Sequence, residues 1–229
     1  MVPRGIFVVI FLLSLIMFLL NKEIFFPPIE MADEEGLVAI GGDLGTERLL
    51  LAYKKGIFPW YNEGEPICWW SPDPRFVLYP AELKTSSSMK TILNNGKYRF
   101  TINRAFTEVI QNCKTITRKG QPGTWISPAV QKAYIILHEQ GFAHSAETWM
   151  DGKLVGGLYG IRLGNIFFGE SMFSVENNAS KFAFINYVQQ LQKENVQLID
   201  CQVYTKHLES LGARMIPRKI FTNILSGLQ

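Results

Sequence analysis

The pair of side chains best placed to do chemistry is a carboxylate and an amide two residues apart. Asp200-Cys201-Gln202 follows Leu198-Ile199 and precedes Val203, so the spacing puts Asp200 and Gln202 on one face of a predicted core strand. Buried groups of this kind must be hydrogen-bonded or they cost about 2–7 kcal/mol. They could cap neighbouring backbone groups, but two on one face favour a site. Cys201 is expected on the opposite face as a small packing residue, and nothing in the spacing brings His207 to it as a base. Glu170, in Gly169-Glu170-Ser171-Met172-Phe173-Ser174, follows Phe167 and Phe168 and reads as a rim residue or a ligand contact. Gly156-Gly157 and Gly160 remove side chains where a ligand could lie close to a sheet; a bulge or a crossing helix would need the same. With Leu158, Phe167 and Met172 they outline an apolar pocket adaptable to Leu, Met or Phe side chains. Trp60, Trp69, Trp70 and Trp125 fall in proline- and glycine-rich segments, where they suit either stacking on a base or a small core.

These residues need elements to hold them. A strand is expected over Gly36–Ile40, then a helix over Glu47–Lys55 capped by Thr46 and ended by Gly56. Ile57–Tyr61 reads as a rigid aromatic turn, Cys68–Pro74 as proline-broken, and Arg75–Tyr79 as a strand. A domain boundary is placed near residue 75. A helix over Ser87–Leu93, a strand over Tyr98–Ile102 and a helix over Arg104–Cys113 follow. Arg75, Lys84, Lys90, Lys97, Arg99, Arg104, Lys114, Arg118 and Lys119 are set here against only Glu82 and Glu108. That surplus suits phosphate contacts as well as it suits a solvated surface. Pro128 opens a helix to Gln140. Strands over Ala143–Met150, Leu154–Leu163 and Ile166–Phe173 are joined by the turn signals Asp151-Gly152 and Gly164-Asn165. A helix over Ala179–Lys193, a central strand over Gln197–Gln202, a helix over Tyr204–Leu211 and a strand over Ala213–Pro217 complete the order. Helix, meander, helix, strand, helix, strand is the sequence of an acetyltransferase-like α+β domain.

Charged residues make up 19% and hydrophobic ones 47% of the 229 residues, with a net charge of +3, which excludes a disordered chain. Cys68, Cys113 and Cys201 with His138, His144 and His207 form neither a disulfide framework nor a zinc pattern. The apolar run Ile6–Leu20 is shorter than the roughly 20 residues a spanning helix needs, and no signal-peptide cleavage site follows it. It is either a short anchor or a start assigned too early, with Met17 as the true beginning. The second reading is preferred, and makes Phe18–Phe26 a buried strand.

Eight motifs in order resemble leucyl/phenylalanyl-tRNA–protein transferases. They are Gly41-Gly42-Asp43-Leu44, Gly56-Ile57-Phe58-Pro59-Trp60, Trp69-Trp70-Ser71-Pro72-Asp73-Pro74-Arg75, Gly123-Thr124-Trp125-Ile126, Leu154-Val155-Gly156-Gly157-Leu158-Tyr159-Gly160, Phe168-Gly169-Glu170-Ser171-Met172-Phe173-Ser174, Ala179-Ser180-Lys181 and Leu198-Ile199-Asp200-Cys201-Gln202. The resemblance runs from about Ile24 to Leu225. It implies an α+β chain with an extension over 1–16, a small N-terminal α/β domain over 17–75 and an acetyltransferase-like mixed-sheet domain over 76–229. It also implies transfer of Leu, Phe and less readily Met from aminoacyl-tRNA to proteins beginning with Arg or Lys, marking them for N-end-rule degradation.

Carried over residue by residue, the catalytic pair falls on Asp200 and Gln202, and the acceptor contact on Glu170. Tyr53, Trp60 and Trp125 match positions at the tRNA adenosine; Leu158, Phe167, Met172 and Tyr187 match the amino-acid pocket, Leu158 standing where a relative has Met. The basic segment becomes an acceptor-stem surface. The expected working state is a cytoplasmic monomer with no membrane partner. An aminoacyl ester is already activated, so no metal or other cofactor is expected. Rival readings are an RNA-binding module without chemistry, a membrane-anchored scaffold and an acyl-CoA acetyltransferase. Against the last, Ser174–Ser180 lacks a glycine-rich pyrophosphate loop and Glu176 would repel phosphate.

Overall fold

The structure, a computed structural model, describes residues 18–116 and 124–228. The 1–16 extension and the start at Met17 lie outside the described residues, as do Arg118, Lys119 and Gly123.

The N-terminal part builds a four-stranded sheet from β1 (Phe18–Leu20), β2 (Leu37–Gly41), β3 (Phe58–Pro59) and β4 (Cys68–Trp70), in the order β1-β2-β4-β3. Four expectations are corrected here. Phe18–Phe26 is not a buried strand: only Phe18–Leu20 pair, along an edge, and Leu19, Ile24 and Phe25 are exposed. The aromatic turn at Phe58 and the supposedly broken Cys68 segment are strands, paired with each other through Phe58–Trp70 and Pro59–Trp69. The prolines misled because an edge strand tolerates them where no ladder N–H is needed. Helix α1 (Thr46–Lys54) has Gly45, not Thr46, at its N-cap. No side chain caps this helix; Asp43 instead orders the turn before it, its Oδ1 accepting from Gly45 N–H at 2.7 Å and its Oδ2 from Arg48.

The remaining strands form a seven-stranded sheet: β5 (Arg75–Leu78), β6 (Arg99–Ile102), β7 (Ala143–Met150), β8 (Lys153–Leu163), β9 (Ile166–Ser174), β10 (Leu198–Gln202) and β11 (Arg214–Ile216), in the order β11-β5-β10-β9-β8-β7-β6. The meander β7-β8-β9 turns where expected; Asp151 and Gly152 both have positive φ, as a two-residue hairpin turn requires. All neighbours are antiparallel except β9 and β10. A parallel pair needs a crossover, supplied by α5 (Ala179–Lys193).

Between β5 and β7 the chain forms α2 (Ser87–Asn94), α3 (Phe106–Thr115) and α4 (Pro128–Glu139). Helix α5 buries Phe182, Ile185, Val188 and Leu191 against one face of the sheet. Helices α3 and α4 cover the other, sharing one apolar cluster with α1 and the small sheet. The last elements are α6 (Lys206–Glu209), shorter than expected, and α7 (Arg218–Leu225), which was missed and whose Phe221 and Leu225 are buried. The architecture is α+β with mixed sheets, as the element order indicated. No helix among the described residues is long and apolar enough to cross a membrane.

Candidate functional site

Strands β9 and β10 pair in parallel through Leu198–Ile166, Ile199–Phe167 and Asp200–Phe168, and no further. Beyond that point β9 stays with β8 through Met172 and Ser174, while Gln202 pairs with Phe76 of β5. The sheet therefore opens between β10 and β9, in its interior. A cleft of about 560 Å³ fills the opening, lined by Leu158, Phe167, Glu170, Met172, Asp200 and Gln202, with Trp60 and Trp125 on its walls.

Gln202 sits at a bulge in the β10–β5 ladder with φ at 63°. Among the described residues four other non-glycine residues have positive φ, and all four are Asn or Asp, which visit that region far more readily than Gln does. A residue held there costs about 1–3 kcal/mol and is retained where its surroundings enforce it. Asp200 provides the enforcement: its Oδ1 accepts the Gln202 backbone N–H at 2.9 Å. The aspartate is itself fixed by Arg75, whose Nε and Nη2 donate to its two oxygens at 2.8 and 2.6 Å. Both charges are fully buried, and the guanidinium lies 4.7 Å from the ring centres of Phe58 and Phe221. Arg75 is thus a structural partner of the site; its expected place in a phosphate-binding surface is corrected. The aspartate and glutamine do not meet through their side chains, since the bulge turns the Gln202 amide towards β9.

There it meets Glu170. Gln202 Nε2 lies 3.1 Å from Glu170 Oε1, Tyr53 Oη lies 2.7 Å from the same oxygen, and Tyr134 Oη lies 3.1 Å from Oε2. The two phenols also bond each other. Burial is the largest influence on Glu170 and pushes its carboxyl up to about 7; the nearby Asp200 charge acts in the same direction, and the donors from Tyr53, Tyr134 and Gln202 oppose it.

The apolar side of the cleft gathers Leu158, Phe167 and Met172 with Phe184, Ile199 and Leu208. Cys201 packs in the apolar cluster under α5, as a small packing residue should, and also borders this cleft; burial raises its thiol well above the usual range. Two of the carried-over residues do not line the cleft. Tyr53 is fully buried beneath it on α1, and Tyr187 lies behind Phe167, ring centres 5.0 Å apart. The glycines do not leave room for a ligand either. A Cβ on Gly156 would fall 2.6 Å from Ala179 of α5, and one on Gly160 only 2.1 Å from Phe168 O, at a register shift of the β8–β9 ladder. Crossing helix and bulge are the physical reasons for both.

The tryptophans divide. Trp60 is exposed and Trp125 half-buried at the cleft. Trp69 is core, its ring 4.9 Å from that of Phe26, and Trp70 donates to Trp60 O at 2.7 Å. Sequence reasoning missed Tyr134 and Phe221, and assigned Arg75 to a surface. A tyrosine on the buried stripe of α4 and an arginine opening an apolar strand both needed buried partners, and that need was the available signal.

The family model described as "Leucyl/phenylalanyl-tRNA protein transferase" matches residues 77–226, and the model of that family's N-terminal domain matches residues 42–73. The chain is 60% identical to a leucyl/phenylalanyl-tRNA–protein transferase of Flavobacterium johnsoniae, over 91% of this chain and 99% of the relative. It is 54% identical to one from Christiangramia forsetii, over 91% of this chain and the whole of that relative. Among solved structures, a GCN5-related N-acetyltransferase from Kribbella flavida superposes with a TM-score of 0.37 at 12% identity, covering 74% of this chain and 59% of its own.

Proposed function

The chain belongs to the leucyl/phenylalanyl-tRNA–protein transferase family, and from that we propose an enzyme that moves Leu or Phe, and Met less readily, from aminoacyl-tRNA to the α-amine of proteins beginning with Arg or Lys. The observation that carries this reading is the junction of two unlike surfaces in one cleft. An apolar wall of Leu158, Phe167 and Met172 suits the side chain being transferred, and it meets the Asp200–Gln202–Glu170 group at the opening of the sheet.

The aminoacyl side chain enters the apolar wall, and the terminal adenosine lies by Trp60 and Trp125, aromatic surfaces suited to stacking. Tyr53, buried under Glu170, supports that carboxyl instead of touching adenosine. The acceptor's free amine attacks the ester carbonyl carbon, a C–N bond forms as the C–O bond breaks, and the tRNA 3′ oxygen leaves with a proton. Gln202 donates through Nε2 to Glu170, which keeps its amide oxygen directed to accept from the attacking nitrogen. Glutamine is a weak base, so its contribution is orientation. Glu170 meets the cationic side chain of the acceptor. Marking of proteins for degradation, action as a monomer and a cytoplasmic setting complete the proposal.

The test is transfer of labelled Leu from Leu-tRNA to peptides beginning with Arg, Lys or Gly. Label on the Arg and Lys peptides alone is the expected result. Binding of tRNA irrespective of its aminoacyl group, with no transfer to any peptide, would instead favour an RNA-binding module.

A further inference from the structure

Three oxygen-bearing groups close a ring beneath the cleft. Tyr53 Oη is 2.7 Å from Glu170 Oε1, Tyr134 Oη is 3.1 Å from Oε2, and the two phenol oxygens are in hydrogen-bond contact with each other. Each of these three contacts needs a proton between its oxygens. The phenols bring one each. With an ionised carboxylate, one side of the ring would set lone pair against lone pair at the two fully buried phenols, and unpaired polar contacts are costly there. A protonated carboxyl supplies the missing proton. The protons can then run from Oε2 to Tyr134, from Tyr134 to Tyr53 and from Tyr53 to Oε1, and Oε1 still accepts from Gln202 Nε2 at 3.1 Å.

We propose that the free protein holds Glu170 as a neutral carboxylic acid in a three-proton ring with Tyr53 and Tyr134, and that a cationic N-terminal side chain entering the cleft expels one proton and pairs with the carboxylate. The inference rests on the reading of Glu170 as the acceptor contact. The phenols keep their protons throughout, because burial, followed by the Glu170 charge, raises both well above the usual tyrosine range. The groups facing the ring from the packed elements agree with a neutral state. Asp200 of β10 adds negative charge and is neutralised by Arg75 of β5. Tyr159 of β8 packs its ring 5.6 Å from that of Tyr134, and its phenol acts after burial and Glu170 in raising Tyr134. On the packed helices, Arg48 of α1 is engaged by Asp43 and His138 of α4 lies 2.8 Å from Ala143 O, so neither is hydrogen-bonded to the ring.

The step balances simply: carboxylic acid and incoming cation become an ion pair and a proton, which leaves to water. Both phenols then donate to the carboxylate, and the Tyr53–Tyr134 side of the ring opens. A neutral N-terminal side chain offers nothing to replace the expelled proton, so the ring stays closed against it. Selectivity for a cation is thereby built without a standing unpaired charge in the empty cleft.

The experiment is a ¹³C carboxyl NMR titration of the free full-length chain, with the Glu170 resonance identified by its loss in Glu170→Gln. The resonance is expected to move between protonated and ionised positions with a midpoint at about 7. Tyr134→Phe removes the group that accepts the Oε2 proton, and with it the oxygen contacts that call for a third proton, so the ring predicts a lower midpoint; a midpoint that rises would overturn it. Tyr53→Phe tests the other oxygen in the same way should the first variant not fold. A peptide beginning with Arg, added at about pH 6, where its own α-ammonium remains charged, should drive the resonance to the ionised position, and one beginning with Gly should not. A resonance already ionised at about pH 5.5, well above an ordinary glutamate value, overturns the ring. A titrating resonance that saturating Arg peptide leaves in place overturns the proton expulsion. If the ring titrates as expected and the enzyme transfers nothing, the proposed function fails and the ring survives.

Discussion

Glu170 offers the sharpest test at the scale of single residues, because its burial has a consequence for stability as well as for chemistry. Its folded value is raised from 4.5 to about 7, so between those values the native state binds more protons than the unfolded chain. Stability from this group is therefore complete below about pH 4.5 and lost as pH rises through about 7. Glu170→Gln should leave the urea midpoint little changed at low pH and raise it relative to the parent at pH above 7. A midpoint difference that is flat with pH would contradict the assignment. The sequence signalled Glu170, Asp200 and Gln202 as polar residues in apolar strands. It could not signal that Asp200 reaches Gln202 through the backbone, because that depends on the bulge and the positive φ of Gln202. Nor could spacing reveal Tyr134, which is 36 residues from Glu170 along the chain.

The site depends at the element scale on how α7, β5 and β10 are tied together. Asp73 Oδ1 accepts the Arg218 N–H at the start of α7, and Arg218 Nη1 donates to Ser71 O. Phe221 of that helix then lies against Arg75, which holds Asp200. One proline-rich motif, Ser71 to Arg75, thus anchors a helix and the strand that carries Asp200 and Gln202 together. Arg75→Ala leaves the Asp200 charge buried and unpaired, which should cost about 3–5 kcal/mol and lower transfer, read by denaturant unfolding beside a kinetic assay. Stability and activity both unchanged would refute the tie. Gly160→Ala should cost about 1–3 kcal/mol, because its Cβ would fall 2.1 Å from the Phe168 carbonyl oxygen; an unchanged midpoint would show that the β8–β9 bulge relaxes freely. The meander was legible because Asp151-Gly152 and Gly164-Asn165 are local turn signals. Helix α7 was not, since its buried face packs on residues far off in the chain, Gly56 and Arg75; the strands at Phe58 and Cys68 were not, since prolines interrupt their local pattern.

At the scale of the whole molecule the basic residues are spread over the large sheet. Lys84 is tied through its backbone to Leu211, near the β11 edge of the large sheet, whereas Arg99 and Arg104 lie at the β6 edge. Lys97 is paired with Glu176. Lys84 and the Arg99–Arg104 pair therefore lie towards opposite edges of the sheet, and for these three linear proximity was a poor guide. Basic side chains of this kind address phosphate without reading bases. Reversing the charge of Arg99 and Arg104 together should weaken tRNA binding equally for charged and uncharged tRNA. It should also flatten the salt dependence by about one unit of logarithmic slope for each phosphate no longer neutralised. Turnover at saturating tRNA should stay as it was. A fall in turnover at saturation would place these residues in the reaction itself.

The measurement closest to the central claim is single-turnover transfer of Leu from saturating Leu-tRNA to an Arg-initiated peptide, comparing the parent chain with Gln202→Ala and Asp200→Asn. Misplacing the attacking group should slow the chemical step on the order of 100-fold in Gln202→Ala, with tRNA affinity retained. Asp200→Asn should be slowed too, because it weakens both the Arg75 pair and the hold on the Gln202 backbone. Transfer at the parent rate in both variants would show that the opening between β9 and β10 is not where the peptide bond is made.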